Sequence, residues 1–168
     1  MRICLISSSF YPAIKYGGPI SATWDLSNKL TNHNFKVYVS TTNANFSSRL
    51  NVLRNQYIKI NKNLFIKYYH EELINRFSFN FLFKVWSDIK KSDIVYIQYL
   101  FHYTVIISLF YSILQKKRVI ICARGSFSDY TFNHSLTFIK YIWIYLFIYP
   151  FSRYITWQAC SYIEKKTY

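Results

Sequence analysis

At 168 residues the chain is long enough for one domain with a sizeable core and short for two. A hydrophobic content of 52% with 21% aromatic residues excludes general disorder. Twenty-one basic against seven acidic residues give a net charge of +14, which favours an anionic partner without choosing among nucleic acid, acidic lipid and phosphorylated substrate.

In chain order, Arg2–Ser7 is the first strand, its apolar run Ile3–Ile6 too short for the core of a signal peptide. A loop follows, Ser7-Ser8-Ser9-Phe10-Tyr11-Pro12-Ala13-Ile14-Lys15-Tyr16-Gly17-Gly18-Pro19, and then a helix over Ile20–Asn32. Pro19 suits a first helical turn, where its missing N–H is no loss. Lys36–Thr41 is a second strand, so the chain opens with a βαβ unit. Thr42–Asn55 is polar and irregular. Tyr57–Ile60 and Leu64–Tyr68 alternate around Asn61-Lys62-Asn63, which reads as a hairpin. Phe79–Lys90 is helical with Ser78 as its cap.

The stretch Ile94–Leu114 has no Lys, Arg, Asp or Glu and approaches spanning length. Gln98, His102, Ser108 and Ser112 argue instead for a strand Ile94–Gln98, a loop, and a helix His102–Gln115. Arg118–Ala123 is another buried strand. A long aromatic helix is expected over Ser135–Tyr149, stopping at Pro150, then a strand Arg153–Trp157. A last helix starts at Ser161, where Ser161 and Glu164 have capping-box spacing. Strands alternating with helices, several strands wholly apolar, predict an α/β fold: a Rossmann-like, doubly wound parallel sheet with helices on both faces, in one domain spanning 1–168.

Ligands in such sheets bind beyond the C-terminal strand ends. Four groups of polar residues fall there: Lys15, Gly17 and Gly18; Gln98, Tyr99 and His102; Arg124, Gly125 and Ser126; and Gln158, Ser161 and Glu164. Two adjacent glycines before a helix leave amides uncovered for a phosphate, or simply form a tight turn. Arg124, directly after an apolar strand and before a glycine, is placed to meet a charged ligand group, or to pair with a carboxylate such as Asp129. His102 would open a helix, Gln98 would be a satisfied polar group, and Glu164 a cap. No Ser/His/Asp, Cys/His or paired-carboxylate arrangement is legible, and no metal site. Cys4, Cys122 and Cys160 lack metal-ligand or disulfide spacing, so buried free thiols in a reducing cytoplasm are expected. The loop has neither the dinucleotide fingerprint nor the Lys-Ser/Thr of a phosphate-binding NTPase loop, and nucleic-acid binding rests on charge alone.

The segments ISSSFYPAIKYGGPISATWDLSNKL, VYVSTTN, SDIVYIQYLFHYT, ICARGSF and QACSYIE occur in the order found in the N-terminal domain of family 4 glycosyltransferases, which the chain resembles over nearly its whole length. These are two-domain GT-B enzymes. The resemblance implies that Gly17 and Gly18 approach the donor diphosphate, and that Lys15, Gln98, His102, Arg124 and Ser126 lie toward the acceptor or leaving phosphate. Ser161 and Glu164 would border the interdomain cleft. Tyr96, Gln98 and Gln158 stand where many relatives have histidines. The implied reaction is transfer of a sugar, with retention, from a nucleotide-sugar donor to a lipid-linked or oligosaccharide acceptor in surface-polysaccharide synthesis, with no further cofactor. The resemblance stops before the second, donor-binding domain, so the chain alone is expected to be inactive, with a separate donor-domain chain as a possible partner. Its basic, aromatic character suits a cytoplasmic protein docked on anionic lipid, the segment Ser135–Tyr149 foremost. Two alternatives stay open: a non-catalytic binding or partner subunit, and a small basic membrane protein.

Overall fold

The computed structural model describes residues 1–73, 76–127 and 136–165, and these form an α/β fold around one seven-stranded sheet. The strands are β1 (Arg2–Ile6), β2 (Lys36–Thr42), β5 (Tyr57–Lys59), β6 (Leu64–Tyr69), β7 (Ile94–Gln98), β8 (Arg118–Cys122) and β9 (Ile155–Gln158). A separate small hairpin joins β3 (Ala44–Asn45) to β4 (Ser48–Arg49), inside the stretch that reads as irregular. The sheet order is β5-β6-β2-β1-β7-β8-β9, every pair parallel except β5–β6. Leaving out β5, six parallel strands run in the order 3-2-1-4-5-6, which is doubly wound, and the order reverses between β1 and β7. The hairpin expected around Asn61–Asn63 is present, and its second strand also pairs parallel with β2, from Val37↔Leu64 to Thr42↔Tyr69.

Alternation along each strand decides the two faces. Ile3 and Leu5 of β1, Val37 and Val39 of β2, and Leu64 and Ile66 of β6 pack toward α1 (Gly18–Asn32), whose Trp24, Leu26 and Leu30 cover them. Cys4 and Ile6, Val95 and Ile97, and Val119 and Ile121 face the other way. There they meet α2 (Phe79–Lys90), α3 (Tyr103–Leu114) and a helical run that begins with α4 (Thr137–Trp143).

Local signals set the helix ends. Ser78 Oγ accepts from the Phe81 amide at 3.2 Å and caps α2. Asn34, at φ 63°, ends α1: its amide donates to Thr31 O at 3.0 Å and that of Phe35 to Leu30 O at 3.1 Å, a Schellman closure. Lys116, at φ 52°, ends α3 in the same way, with Lys117 N donating to Ser112 O. Pro150 does not stop the fourth helix. After Trp143 the chain passes through one π turn, Ile144–Ile148, into a 3-10 turn, Tyr149–Tyr154, where proline sits at a start and no amide is required. Arg153 therefore lies in that turn, and the last strand begins two residues later than the sequence indicates, while Ser135 falls outside the described residues. The strand Ile94–Gln98 and the separate helix α3 replace any continuous helix across 94–114, and among the described residues no helix is long and apolar enough to cross a membrane.

One buried polar cluster ties α2 to the sheet. Asp88 of α2, 1% exposed, receives Lys67 Nζ of β6 on one oxygen. Its other oxygen accepts from Ser40 Oγ at 2.7 Å and from the Tyr69 hydroxyl at 2.5 Å. Every lone pair needed by the carboxylate is taken, which is the condition for tolerating an ion pair away from water. Cys4 lies beside this cluster, and burial, reinforced by the Asp88 charge, pushes its thiol far above the ordinary range. Cys4 and Cys122 are buried as expected, whereas Cys160 is exposed, because it leaves β9 on the rim.

Candidate functional site

The reversal between β1 and β7 opens a crevice at the C-terminal strand ends, and four chain segments converge on it. From β1 comes the loop 7–17. Its Phe10 and Ala13 are fully buried and pin it down, Tyr11 stacks on Trp24 of α1 at 4.6 Å between ring centroids, and Tyr68 Oη donates to Tyr11 O at 2.5 Å. The Tyr11–Pro12 peptide is cis. A short 3-10 turn, Ile14–Tyr16, carries exposed Lys15 and delivers Gly17 at φ 82°, a conformation open to glycine, as the residue before α1. A Cβ built at Gly17 or Gly18 would meet nothing within 4 Å, so this backbone faces open space at the helix start.

From β8 comes Arg124, at φ 53°, followed by Gly125 at φ 74°. Its Nε donates to Gln98 Oε1, on the last residue of β7, at 2.7 Å, and its Nη2 to Thr23 Oγ1 of α1 at 3.3 Å. Thr23 Oγ1 in turn donates to Pro19 O at 2.7 Å. A hydrogen-bonded chain Gln98–Arg124–Thr23–Pro19 thus joins the guanidinium to the first turn of α1, directly beside Gly17 and Gly18. Gln98 is wholly buried, and among the described residues its Nε2 finds no partner. An unmatched buried donor is costly unless something else fills it.

Arg76, in the loop after β6, reaches the same strand ends from the other side. Its Nη1 donates to Ser8 Oγ at 3.1 Å, and its guanidinium lies 5.0 Å from the Tyr16 ring centroid. Tyr99, at φ 70°, is near enough to both arginines for each charge to act on its phenol. Burial raises its phenol above the ordinary range; Arg76, Arg124 and contacts with Ser9 and Ser7 pull the other way. Among the described residues neither Arg76 nor Arg124 has a carboxylate within ion-pair distance. Asp129, the carboxylate that could pair with Arg124, lies outside the described residues.

The remaining sequence-indicated residues serve the frame around this centre. His102 precedes α3, its Nδ1 accepting from the Thr104 amide at 3.4 Å and standing 2.9 Å from Thr104 Oγ1. Ser126 Oγ donates to Ala123 O and tightens the turn after β8. Ser161 Oγ accepts from Glu164 N at 3.1 Å, which is the half of the expected capping box that forms. The Glu164 carboxylate does more: it accepts from Cys160 N at 2.6 Å and from Gly125 N at 2.7 Å, locking the turn behind Arg124 to the start of α5 (Tyr162–Lys165). Tyr96 Oη donates to Gln158 Oε1 at 2.7 Å. The Cys122 and Cys160 sulfurs are 3.2 Å apart, and burial together with this contact pushes the Cys160 thiol up to about 11.

Sequence reading missed Arg76 and Thr23. The signal for Arg76 was indirect: only β6 pairing parallel with β2 carries the following loop to the ligand edge. Thr23 sits one turn after Pro19, a spacing that fits a hydroxyl bond back to the carbonyl four residues earlier. Beside the crevice a cavity of about 600 Å³ is lined by Phe46, Ser47, Ser48, Arg49 and Glu71. Phe46 meets Tyr16 edge-to-face at 6.1 Å, so cavity and crevice share an aromatic wall.

The side chains gathered at this centre are mainly donors: two guanidiniums, the Gln98 amide and a phenol, beside the open backbone at the start of α1. Of the carboxylates nearby, Glu71 is held by the Arg76 amide at 2.7 Å and by Arg49, and Glu164 by two amides. The arrangement suits capture of an anionic or polyhydroxylated group. No family model and no curated protein matches this chain.

Proposed function

We propose that the chain is the acceptor-side half of a glycosyltransferase, working with a donor-binding domain to move a sugar from a nucleotide-sugar donor to a lipid-linked or oligosaccharide acceptor. The observation that carries this reading is the chain Gln98–Arg124–Thr23–Pro19, which holds a guanidinium against the glycine-opened start of α1 at the point where the strand order reverses. Backbone amides at a helix start and a planar guanidinium both favour a phosphate-like group, the charge released when a sugar leaves its nucleotide diphosphate. The neighbouring cavity falls in the volume range of small-ligand sites, and its aromatic wall suits the face of a sugar ring.

In this reading Arg124 and Gly17-Gly18 stabilise the departing diphosphate, Arg76 and Tyr99 position the anionic or hydroxylated acceptor, and Glu164 holds the Arg124 turn rigid. Both nearby described carboxylates, Glu71 and Glu164, are bound to backbone amides, which suits them to holding the loops in place. The test is turnover with a panel of nucleotide sugars and lipid-linked or oligosaccharide acceptors, with and without a supplied donor-binding domain. Transfer should need the second domain and fall at least tenfold with Arg124→Lys. Transfer by the chain alone would place the active site elsewhere.

A further inference from the structure

The face of the molecule opposite α1 carries a second pattern, independent of what the crevice binds. α2, α3 and the run through α4 cover that face of the sheet, and each turns large apolar side chains outward as well as inward. On α2, Phe79, Phe83 and Trp86 recur at helical spacing and are exposed, Phe83 to 75%. On α3, Phe110 and Leu114 do the same, and Trp86 packs edge-to-face on Tyr111 at 5.1 Å, joining the two helices at the surface. On the fourth helical run Phe138, Tyr141, Tyr145 and Tyr149 form one outward stripe, with Phe138 77% exposed. Solvent-exposed apolar patches of this extent on one face mark interaction surfaces.

The charges choose the partner. α2, α3 and α4, with the π and 3-10 turns that follow, contain a single acidic residue, Asp88, and it is buried against Lys67. Among the described residues the exposed charges along this face are cationic apart from Asp93, just before β7, which is paired with Arg2. Lys84 lies on α2, Lys90 and Lys91 at its end, Lys116 and Arg118 after α3, and Arg153 before β9. Those beyond the helix ends gather where strands β7, β8 and β9 begin, the edge opposite the crevice. A second copy of the chain pressed against this face would set one cationic rim against another. A protein partner would need a matching acidic, aromatic-accepting surface, whereas an anionic bilayer offers both demands at once: negative headgroups for the rim, and an interfacial layer in which Tyr, Trp and Phe settle.

We infer that the outer face of α2, α3 and α4 is a docking surface for an anionic lipid bilayer, lying on it without crossing, with the crevice edge left open to solvent. The full chain is mixed with phosphatidylcholine vesicles, with and without phosphatidylglycerol, and bound protein is measured by sedimentation. Binding should require phosphatidylglycerol and fall at least tenfold when salt shortens the Debye length to about 3 Å. Lys90→Gln with Lys91→Gln and Lys116→Gln should reduce it by a similar factor. Phe83→Ser with Tyr145→Ser, both at exposed positions, should lower it further with the charges intact, and Lys29→Gln on α1 should leave it unchanged. Circular dichroism on each variant confirms the fold. Equal binding to neutral vesicles, indifference to the aromatic substitutions, or a lipid-free dimer abolished by Phe83→Ser would each overturn the assignment. None of these outcomes depends on sugar transfer.

Discussion

Two polar clusters sit on this sheet, and they are built to opposite rules. Around Asp88, each carboxylate oxygen has a donor, the ammonium of Lys67 has its counter-charge, and the group is sealed beneath α2. Around Arg124, among the described residues, the guanidinium meets only neutral oxygens and a buried amide nitrogen of Gln98 is unmatched, and three non-glycine residues, Arg76, Tyr99 and Arg124, hold positive φ. Such backbone costs roughly 1–3 kcal/mol at each position and persists where the surroundings impose it. The first cluster closes on itself and serves stability. The second is left open on the ligand edge, as a binding site must be.

The largest expected effect is at the closed cluster. Asp88→Ala strands Lys67 in an apolar setting and should destabilise by about 3–5 kcal/mol, read from the urea midpoint. If the loss were below about 1 kcal/mol, the contrast between the clusters would be false.

Alkaline pH tests the closed cluster, together with the other buried phenols, by titration. Burial, the first cause in each case, raises the phenols of Tyr57, Tyr68, Tyr69, Tyr96 and Tyr103 well above the ordinary value, with Asp88 adding to it at Tyr57 and Tyr69. A raised folded-state value means stability that is fully present below about pH 10, where the unfolded phenol titrates, and lost as pH rises toward the folded values. The urea midpoint should hold to about pH 9 and then fall steeply. Tyr69→Phe should lessen that slope while costing about 1 kcal/mol at neutral pH for its bond to Asp88.

At the open cluster function should fall further than stability. Arg124→Lys keeps the charge, loses the planar fork, and should cost about 1 kcal/mol of stability while lowering transfer at least tenfold in an enzyme reconstituted with a donor-binding domain. Arg76→Gln should act in the same direction, more weakly. Activity that fell only in step with stability would make both arginines part of the frame. Gly18→Val sharpens the point, because its Cβ meets nothing within 4 Å. Stability should change by no more than about 0.5 kcal/mol, and any loss of transfer would report backbone approach to a ligand.

The smallest effect belongs to Asp93, whose carboxyl is held below its usual value by the Arg2 amide at 2.7 Å and guanidinium at 3.1 Å. That contribution exists above the unfolded carboxyl value and disappears as pH falls through the lowered one. Since the group is fully exposed, Asp93→Asn should leave the neutral-pH urea midpoint within error.

By itself the sequence determined the alternation of strands and helices, the five strands at positions 2, 36, 94, 118 and 153 to within a few residues, the Ser78 and Ser161 caps, and the placement of Gly17, Gly18, Gln98 and Arg124 at C-terminal strand ends. These follow from local periodicity and from turn chemistry, which a short window of residues carries. Only the tertiary structure decided that β6 runs parallel beside β2, and so that Arg76 arrives opposite Arg124, because a strand's second partner is chosen by long-range burial. It also decided that Arg124 bonds Gln98 and Thr23, and that Glu164 reaches back 39 residues to Gly125. Periodicity shows which side of a helix can be buried, but not how much apolar surface the sheet has room to cover. The aromatic residues left outside on α2, α3 and α4 are the excess.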